Sequence, residues 1–550
     1  MLRLSIPLLL LGSLSAQMRE HIERFVADRQ ALETGYFGML PKGRMADLFA
    51  DASARLEAVD FTALDQANKV DWLLLRNHIL AERARLARAE KAKAEIAGFL
   101  PFAETIETLA AMSRRGTRPG PEAAAETLVA LSAEIGRAKK ELEVATPAPH
   151  LAARGARYAE TLLAALRRWH SFSASYDPDF TWWTGEPFPT CEKALAEHVA
   201  LLRSKGAGPA GGPEAPITGD PIGREGILEE LAFEWIPYTP EELINLAEKE
   251  LAWCEGEMKK AASEVRCGDD WKKALDYVKR HHVPAGGQPT KIVELATEIV
   301  AYLEVKDLVT IPPLCKETWR MEMMSPARQL VNPFFLGGDT ITVSYPTDTM
   351  THADKLMSMR GNNVHFARAT VHHELIPGHH LQGFVAAREK PYRRLFETPF
   401  YVEGWALYWE MRLWDMGFGA TPEDRLGMLF WRAHRCARIV FSLSFHLGKM
   451  TPQQAIDLLV DKVGHERANA TAEVRRSFGG DYPPLYQAAY MLGGMQLRAL
   501  QKELVGTGKL TDKAFHDAVL KENAIPIEFV RAALTGQSLA RDQKSTWRPW

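Results

Sequence analysis

Val371-His372-His373-Glu374-Leu375-Ile376-Pro377-Gly378-His379-His380-Leu381-Gln382 packs four imidazoles and a carboxylate into nine residues. In the HExxH pattern, two histidines four apart share one face of a helix and bind zinc. The glutamate beside the first histidine then serves as general base. Here the position four beyond His373 is Pro377, which offers no ligand. His379 and His380 lie six and seven residues on. On a straight helix the first points roughly 120° away, and the second lies about 10 Å along the axis. Neither can share a metal whose bonds to nitrogen are about 2.0–2.1 Å. A zinc site therefore requires the helix to deform, and Pro377-Gly378 is suited to that. A two-residue bulge would bring His379 to where the fourth position normally falls. The motif reads as HExxxGH, with His373 and His379 as ligands, Glu374 as base and His380 as reserve ligand.

A third ligand should come from another element. Glu403 stands near the start of the helical stretch Tyr401-Val402-Glu403-Gly404-Trp405-Ala406, entered from Pro399. Gly404 and Ala406 would let it approach the metal helix. Glu410 lies two turns further on the same face and reads as a supporting or surface carboxylate. A His/His/Glu set suits Zn²⁺ and could also hold Mn²⁺ or Co²⁺. Thr340 to Tyr345 reads as a short strand after a Gly337-Gly338 turn. As an exposed edge it could pair with an extended peptide near Tyr345. Arg475-Arg476 reads as a solvated helix face, although Arg476 could clasp a substrate carboxylate. His365, His372 and His446 read as packing or supporting groups.

Most of the rest must position these groups. Asp71 to Leu80, Ala123 to Leu142 and Lys291 to Leu303 carry apolar residues at helical spacing. Thr239-Pro240-Glu241-Glu242 has the composition of a helix start with a capping box. The expected fold class is mainly α, with a small β-sheet beside the metal helix. A break at 206–220, rich in Gly and Pro, separates a helical region at 17–205 from a catalytic region at 221–550. The tail from Thr535 to Trp550 is polar and reads as loosely held.

Composition narrows the function classes. A formal charge of −3 over 550 residues, with no basic block, gives no reason to expect a nucleic-acid partner. Residues 1–16 read as a secretory signal: a positive start, an apolar run from Leu4 to Leu11, then small residues up to Ala16. The run is too short to span a bilayer, and no later stretch is apolar enough. The chain is expected to be secreted, periplasmic or extracellular, with no integral membrane segment after signal removal. No cysteine follows the apolar run, which argues against a lipid anchor. Five cysteines are too few and too scattered for a disulfide framework. Cys254 and Cys267 could pair in an oxidising compartment.

The His373–His380 segment and Glu403-Gly404-Trp405-Ala406 together resemble a bacterial family, domain of unknown function 885. Pro221-Ile222-Gly223-Arg224, Thr239 to Leu243, Asp481-Tyr482-Pro483-Pro484 and Tyr490-Met491-Leu492-Gly493 extend the likeness over roughly 220–530. Ser442 departs from it, standing where the family often has an Asp four residues before a His. The resemblance implies a gluzincin-like peptidase, similar to thimet oligopeptidase and the Taq-type carboxypeptidases, with two helical lobes around a cleft. It also implies a phenol that donates to the oxyanion, Tyr490 before Tyr486. The expected activity is zinc-dependent hydrolysis of peptide bonds in short peptides. The substrate would be an oligopeptide or another small amide. Two alternatives are a zinc hydrolase of a non-peptide amide or ester, and a non-catalytic, metal-containing helical binding protein.

Overall fold

A computed structural model describes residues 8–36, 43–114, 116–207, 215–329, 334–480 and 482–550. Side chains are described from Met18 onward, apart from those of 207 and 327. The first seven residues of the expected leader and residues 208–214 of the Gly/Pro-rich break fall outside the described residues. Leu8–Gly35 is one helix.

The molecule is mainly helical and divides into two compact units. Glu23–Val59 and Ile79–Asp220 form one unit; Met1–Ile22, Asp60–His78 and Pro221–Trp550 form the other. Short segments near the N-terminus therefore belong with the larger unit, which a single cut at 206–220 does not anticipate. In the smaller unit, helices α1 (Pro121–Val144), α2 (Pro149–Ala174) and α3 (Pro187–Ala207) pack together. Their buried face includes Leu128, Ile135, Leu162, Leu166, Trp169 and Leu195.

The larger unit holds α4 (Pro240–Glu264), α5 (Gln288–Val305), β1 (Arg320–Met323), β2 (Thr340–Val343), α6 (Val364–Glu374) and α7 (His379–Ala386). After these come α8 (Pro399–Asp415), α9 (Pro422–His446), α10 (Arg467–Phe478) and α11 (Tyr486–Leu504). Local sequence sets several helix starts. Thr239, Thr398 and Thr421 each precede a proline and accept a backbone N–H from the first turn. A side-chain acceptor there satisfies an otherwise orphaned donor, and proline at that point loses no hydrogen bond. At Thr239 the capping box closes, with Thr239 N–H donating to Glu242 Oε2 over 2.8 Å.

Helix α9 is buried continuously from Leu426 to His446, so it is the axis of the larger unit. It packs on α4 and α6. Gly427 allows the close approach to α6, since a Cβ there would sit 2.4 Å from the carbonyl oxygen of His365. Trp431 Nε1 donates to the Phe366 carbonyl, fixing the same crossing. β1 and β2 pair in parallel, Arg320 beside Thr340 and Met323 beside Val343. Ile341 and Val343 turn inward at alternate positions and meet Ala367 and Val371 of α6 and Leu375 just beyond it. The small sheet thus lies against α6.

Two expectations are corrected. The tail has no regular structure but is tied down. Tyr238 donates to the Trp550 carbonyl, Arg548 pairs with Glu242, and Ser545 donates to the Trp235 carbonyl. All five cysteines are free thiols, and the thiol facing Cys254 is Cys436 on α9, not Cys267. The α4–α9 packing brings those two together, which sequence spacing does not report.

Candidate metal centre

The His373–His379 segment is built by a break, not by the expected bulge. α6 stops at Glu374 and α7 starts at His379, with a cis peptide at Ile376-Pro377 between them. The break is held at each end. Gly378 N–H donates to the His372 carbonyl (3.0 Å) and His380 N–H to that of Leu375 (3.0 Å). Trp405 Nε1 from α8 donates to the Pro377 carbonyl at 2.8 Å. Gly378 is required here: a Cβ would fall 1.8 Å from the carbonyl oxygen of His373.

α8 delivers Glu403 because it packs backbone to backbone on α11. A Cβ on Gly493 would meet the Phe400 carbonyl oxygen at 1.8 Å, and one on Gly404 would meet Gly493 at 2.7 Å. Glu403 Oε2 then lies 3.2 Å from His379 Nε2 and 3.4 Å from His373 Nε2. One donor atom from each of the three residues falls within 4.8 Å of the others. Bonds of about 2.0–2.1 Å in a tetrahedron place neighbouring ligand atoms about 3.3 Å apart, a spacing that the two Glu403–imidazole separations match. Glu403 Oε2 is buried without a hydrogen-bond partner, as a ligand oxygen would be.

The orientation of these ligands is fixed from outside. His373 Nδ1 lies 2.7 Å from Glu410 Oε1. An ionised carboxylate only accepts, so Nδ1 carries a proton and Nε2 is left as the nitrogen that would hold a metal. Tyr486 donates to Glu403 Oε1 over 2.5 Å, leaving Oε2 to face the imidazoles. Burial works against charge on His373, but the facing carboxylates of Glu403 and Glu410 outweigh it and lift its pKa to about 9. Glu403, despite burial, is held well below the usual carboxylate range by His379 and His373. Glu374 goes the other way: burial raises it, although both imidazoles pull it down.

The cluster opens into a cavity of about 340 Å³. Glu374 lines it, and Gly337 covers the base of that side chain so tightly that a Cβ would collide with it. Tyr490 also lines it, with its ring nearly parallel to that of His373, centroids 6.1 Å apart. Burial pushes the Tyr490 phenol above its ordinary pKa, so it keeps its proton.

Other candidates fall elsewhere. His380 is buried, with Nε2 2.8 Å from the Cys315 carbonyl oxygen, and stands outside the three-residue cluster. Tyr345 does not line the cavity; its N–H donates to Gln329. β2 has β1 on one side and a bridge to Leu336 on the other, so it offers no free edge at Thr342. Arg476 does line the cavity, but its guanidinium is engaged by Glu473 at 2.8 Å. Its face is enclosed, not solvated. Sequence reasoning missed Arg435 and Arg438, which line the same wall from α9. Their spacing of three was a readable signal, but their burial was not. His365 pairs with Asp424 at 2.7 Å, and His446 accepts from Ile222 N–H at 3.4 Å. The nitrogens of His372 are buried without partners, and Ser442 Oγ is likewise unpartnered one turn beyond Arg438.

Two solved structures share this fold. A protein from Shewanella oneidensis, provisionally described as a lipoprotein of unknown function, is 18% identical with a TM-score of 0.69; the match covers 94% of this chain and 99% of that one. A protein from Colwellia psychrerythraea, also provisionally described as a lipoprotein, is 16% identical with a TM-score of 0.57, covering 95% and 98%. No curated protein matches the chain. Residues 41–534 match the bacterial proteins of unknown function grouped as DUF885, and the chain belongs to that family.

Proposed function

We propose that this protein is a zinc-dependent, gluzincin-like hydrolase that cleaves peptide bonds in short peptides. The observation that carries the reading is the convergence of His373, His379 and Glu403 donor atoms within 4.8 Å, beside the half-buried carboxylate of Glu374 that lines the same cavity. Zinc held there would polarise the scissile carbonyl and activate a water. Glu374 takes the proton of the attacking water and passes it to the leaving amine. Tyr490 donates to the developing oxyanion, and Tyr486 holds Glu403 in place. A purely structural metal site needs ligands but no such base, which disfavours the binding-protein alternative. The small cavity suits a substrate of a few residues.

An envelope or exported location is part of the same proposal. The leader-like start at residues 1–16 supports it, as do the lipoprotein descriptions of the two structural neighbours. No helix among the described residues is long and apolar enough to cross a membrane.

The test is Glu374→Gln on zinc-replete protein with a panel of short peptides. Zinc content stays at the wild-type level and hydrolysis falls by roughly 10²-fold or more. Hydrolysis persisting at the wild-type rate overturns the mechanism.

A further inference from the structure

The cavity wall beside the metal cluster is built for an anion. α9 places Trp431, Arg435 and Arg438 on one face at steps of four and three, and all three line the cavity. Arg435 and Arg438 are only 6% and 2% exposed. Arg438 Nε and Arg476 Nε each bond a different oxygen of Glu473, at 2.7 and 2.8 Å. The nearest carboxylate to Arg435 is Glu410, 3.7 Å away and already bonded to His373. Arg438 therefore shares its carboxylate with Arg476, and Arg435 has only part of a second. Arg435 Nε and Arg438 Nη1 are buried with no hydrogen-bond partner. Buried cationic donors left unpaired are costly, and a carboxylate matches their planar forks.

The wall is also close to the reacting centre. Arg435 and Arg438 lie 4.7 and 4.5 Å from the centre of the Tyr490 ring, which stacks on His373. An extended residue spans about 3.5 Å, so the path across that ring allows at most about three residues.

Resting on the hydrolase reading above, we propose that Arg435 and Arg438 bind the free terminal carboxylate of the substrate. The enzyme then acts as an exopeptidase or dipeptidase, cutting within about three residues of a peptide's C-terminus. This moves the carboxylate-binding role from Arg476 to the two arginines of α9, which keep unpartnered donors in Arg435 Nε and Arg438 Nη1.

The experiment compares acetylated di- to pentapeptides, each as free acid and as C-terminal amide, on zinc-replete full-length protein. In parallel, calorimetry measures binding of acetyl-Ala-Ala, its amide and inorganic phosphate to the Glu374→Gln protein. The free acids bind at least ten-fold tighter than the amides and are cleaved near the C-terminus. Arg435→Gln brings the acid-to-amide ratio close to one with zinc retained; Arg435→Lys keeps part of the preference. Equal handling of acids and amides by the wild type overturns the proposal and leaves the hydrolase reading standing. Phosphate binding without an acid-over-amide preference also overturns it. Acid-selective binding without any hydrolysis supports the carboxylate site and removes the hydrolase reading instead.

Discussion

His373 is gripped at both nitrogens by one helix. Glu403 faces Nε2 and Glu410 bonds Nδ1, two turns apart on α8. Seven residues rise about 10 Å, enough for the two carboxylates to reach either side of an imidazole. Glu410 acts through His373, so its loss should weaken the metal without removing a ligand. Glu410→Gln is expected to lower zinc affinity about 10–100-fold, measured by competition with a chelator; unchanged affinity would show that the Nδ1 contact does not matter. His372 makes the contrast. Burial pushes its pKa down to about 4, and neither nitrogen has a partner. His372→Leu should therefore leave zinc content unchanged and the unfolding midpoint equal or higher.

At the scale of elements, the site depends on two close approaches that only glycine permits. Gly493→Ala drives a methyl into the Phe400 carbonyl and should separate α8 from α11, at a cost on the order of 2–4 kcal/mol in urea unfolding. Gly378→Ala strikes the His373 carbonyl inside the break. It should reduce zinc binding more than it reduces global stability. The reverse order would mean that the break matters for folding and not for the ligands. These elements also show what the sequence could tell. The HExxxGH expansion was readable because Pro377-Gly378 forbids a straight helix. Glu403 was readable because small residues flank it, and the helix starts because Thr-Pro caps are local. Whether Pro377-Gly378 would bulge or break depended on Trp405, from another helix. Arg435 and Arg438 looked like ordinary helix charges. They are buried because α9 is central, a fact set by packing on α4, α6 and α11 that no local pattern carries.

At the scale of the whole molecule, buried charge makes stability depend on pH. Glu473 is lowered to about 2: burial opposes its ionisation, but Arg438 and Arg476 overcome that. A depressed carboxylate stabilises fully above its unfolded value of about 4.5, and that stability is lost as pH falls toward 2. His465, lowered by burial to about 3, has the same sign. The unfolded chain takes up its proton below about 6.5, whereas the folded chain does not until about 3. The midpoint for urea unfolding should fall steadily from pH 6.5 to 3. Glu473→Gln should flatten the lower part of that decline; an unaltered profile would show that this carboxylate does not govern it. Arg393, fully buried between Asp71 and Glu522, ties Asp60–His78 to the rest of the larger unit. Removing it leaves buried Asp71 with only the Tyr392 hydroxyl and Glu522 with Lys390, so Arg393→Ala should cost about 3–5 kcal/mol in the same measurement.

The most direct test of the account is zinc content by elemental analysis, on wild type and on His373→Ala, His379→Ala and His380→Ala. The account predicts one zinc per chain in the wild type and in His380→Ala, and none in the other two. Zinc lost with His380→Ala but kept with His379→Ala would move the ligand, and zinc-free wild type after zinc-replete purification would contradict the metal centre itself.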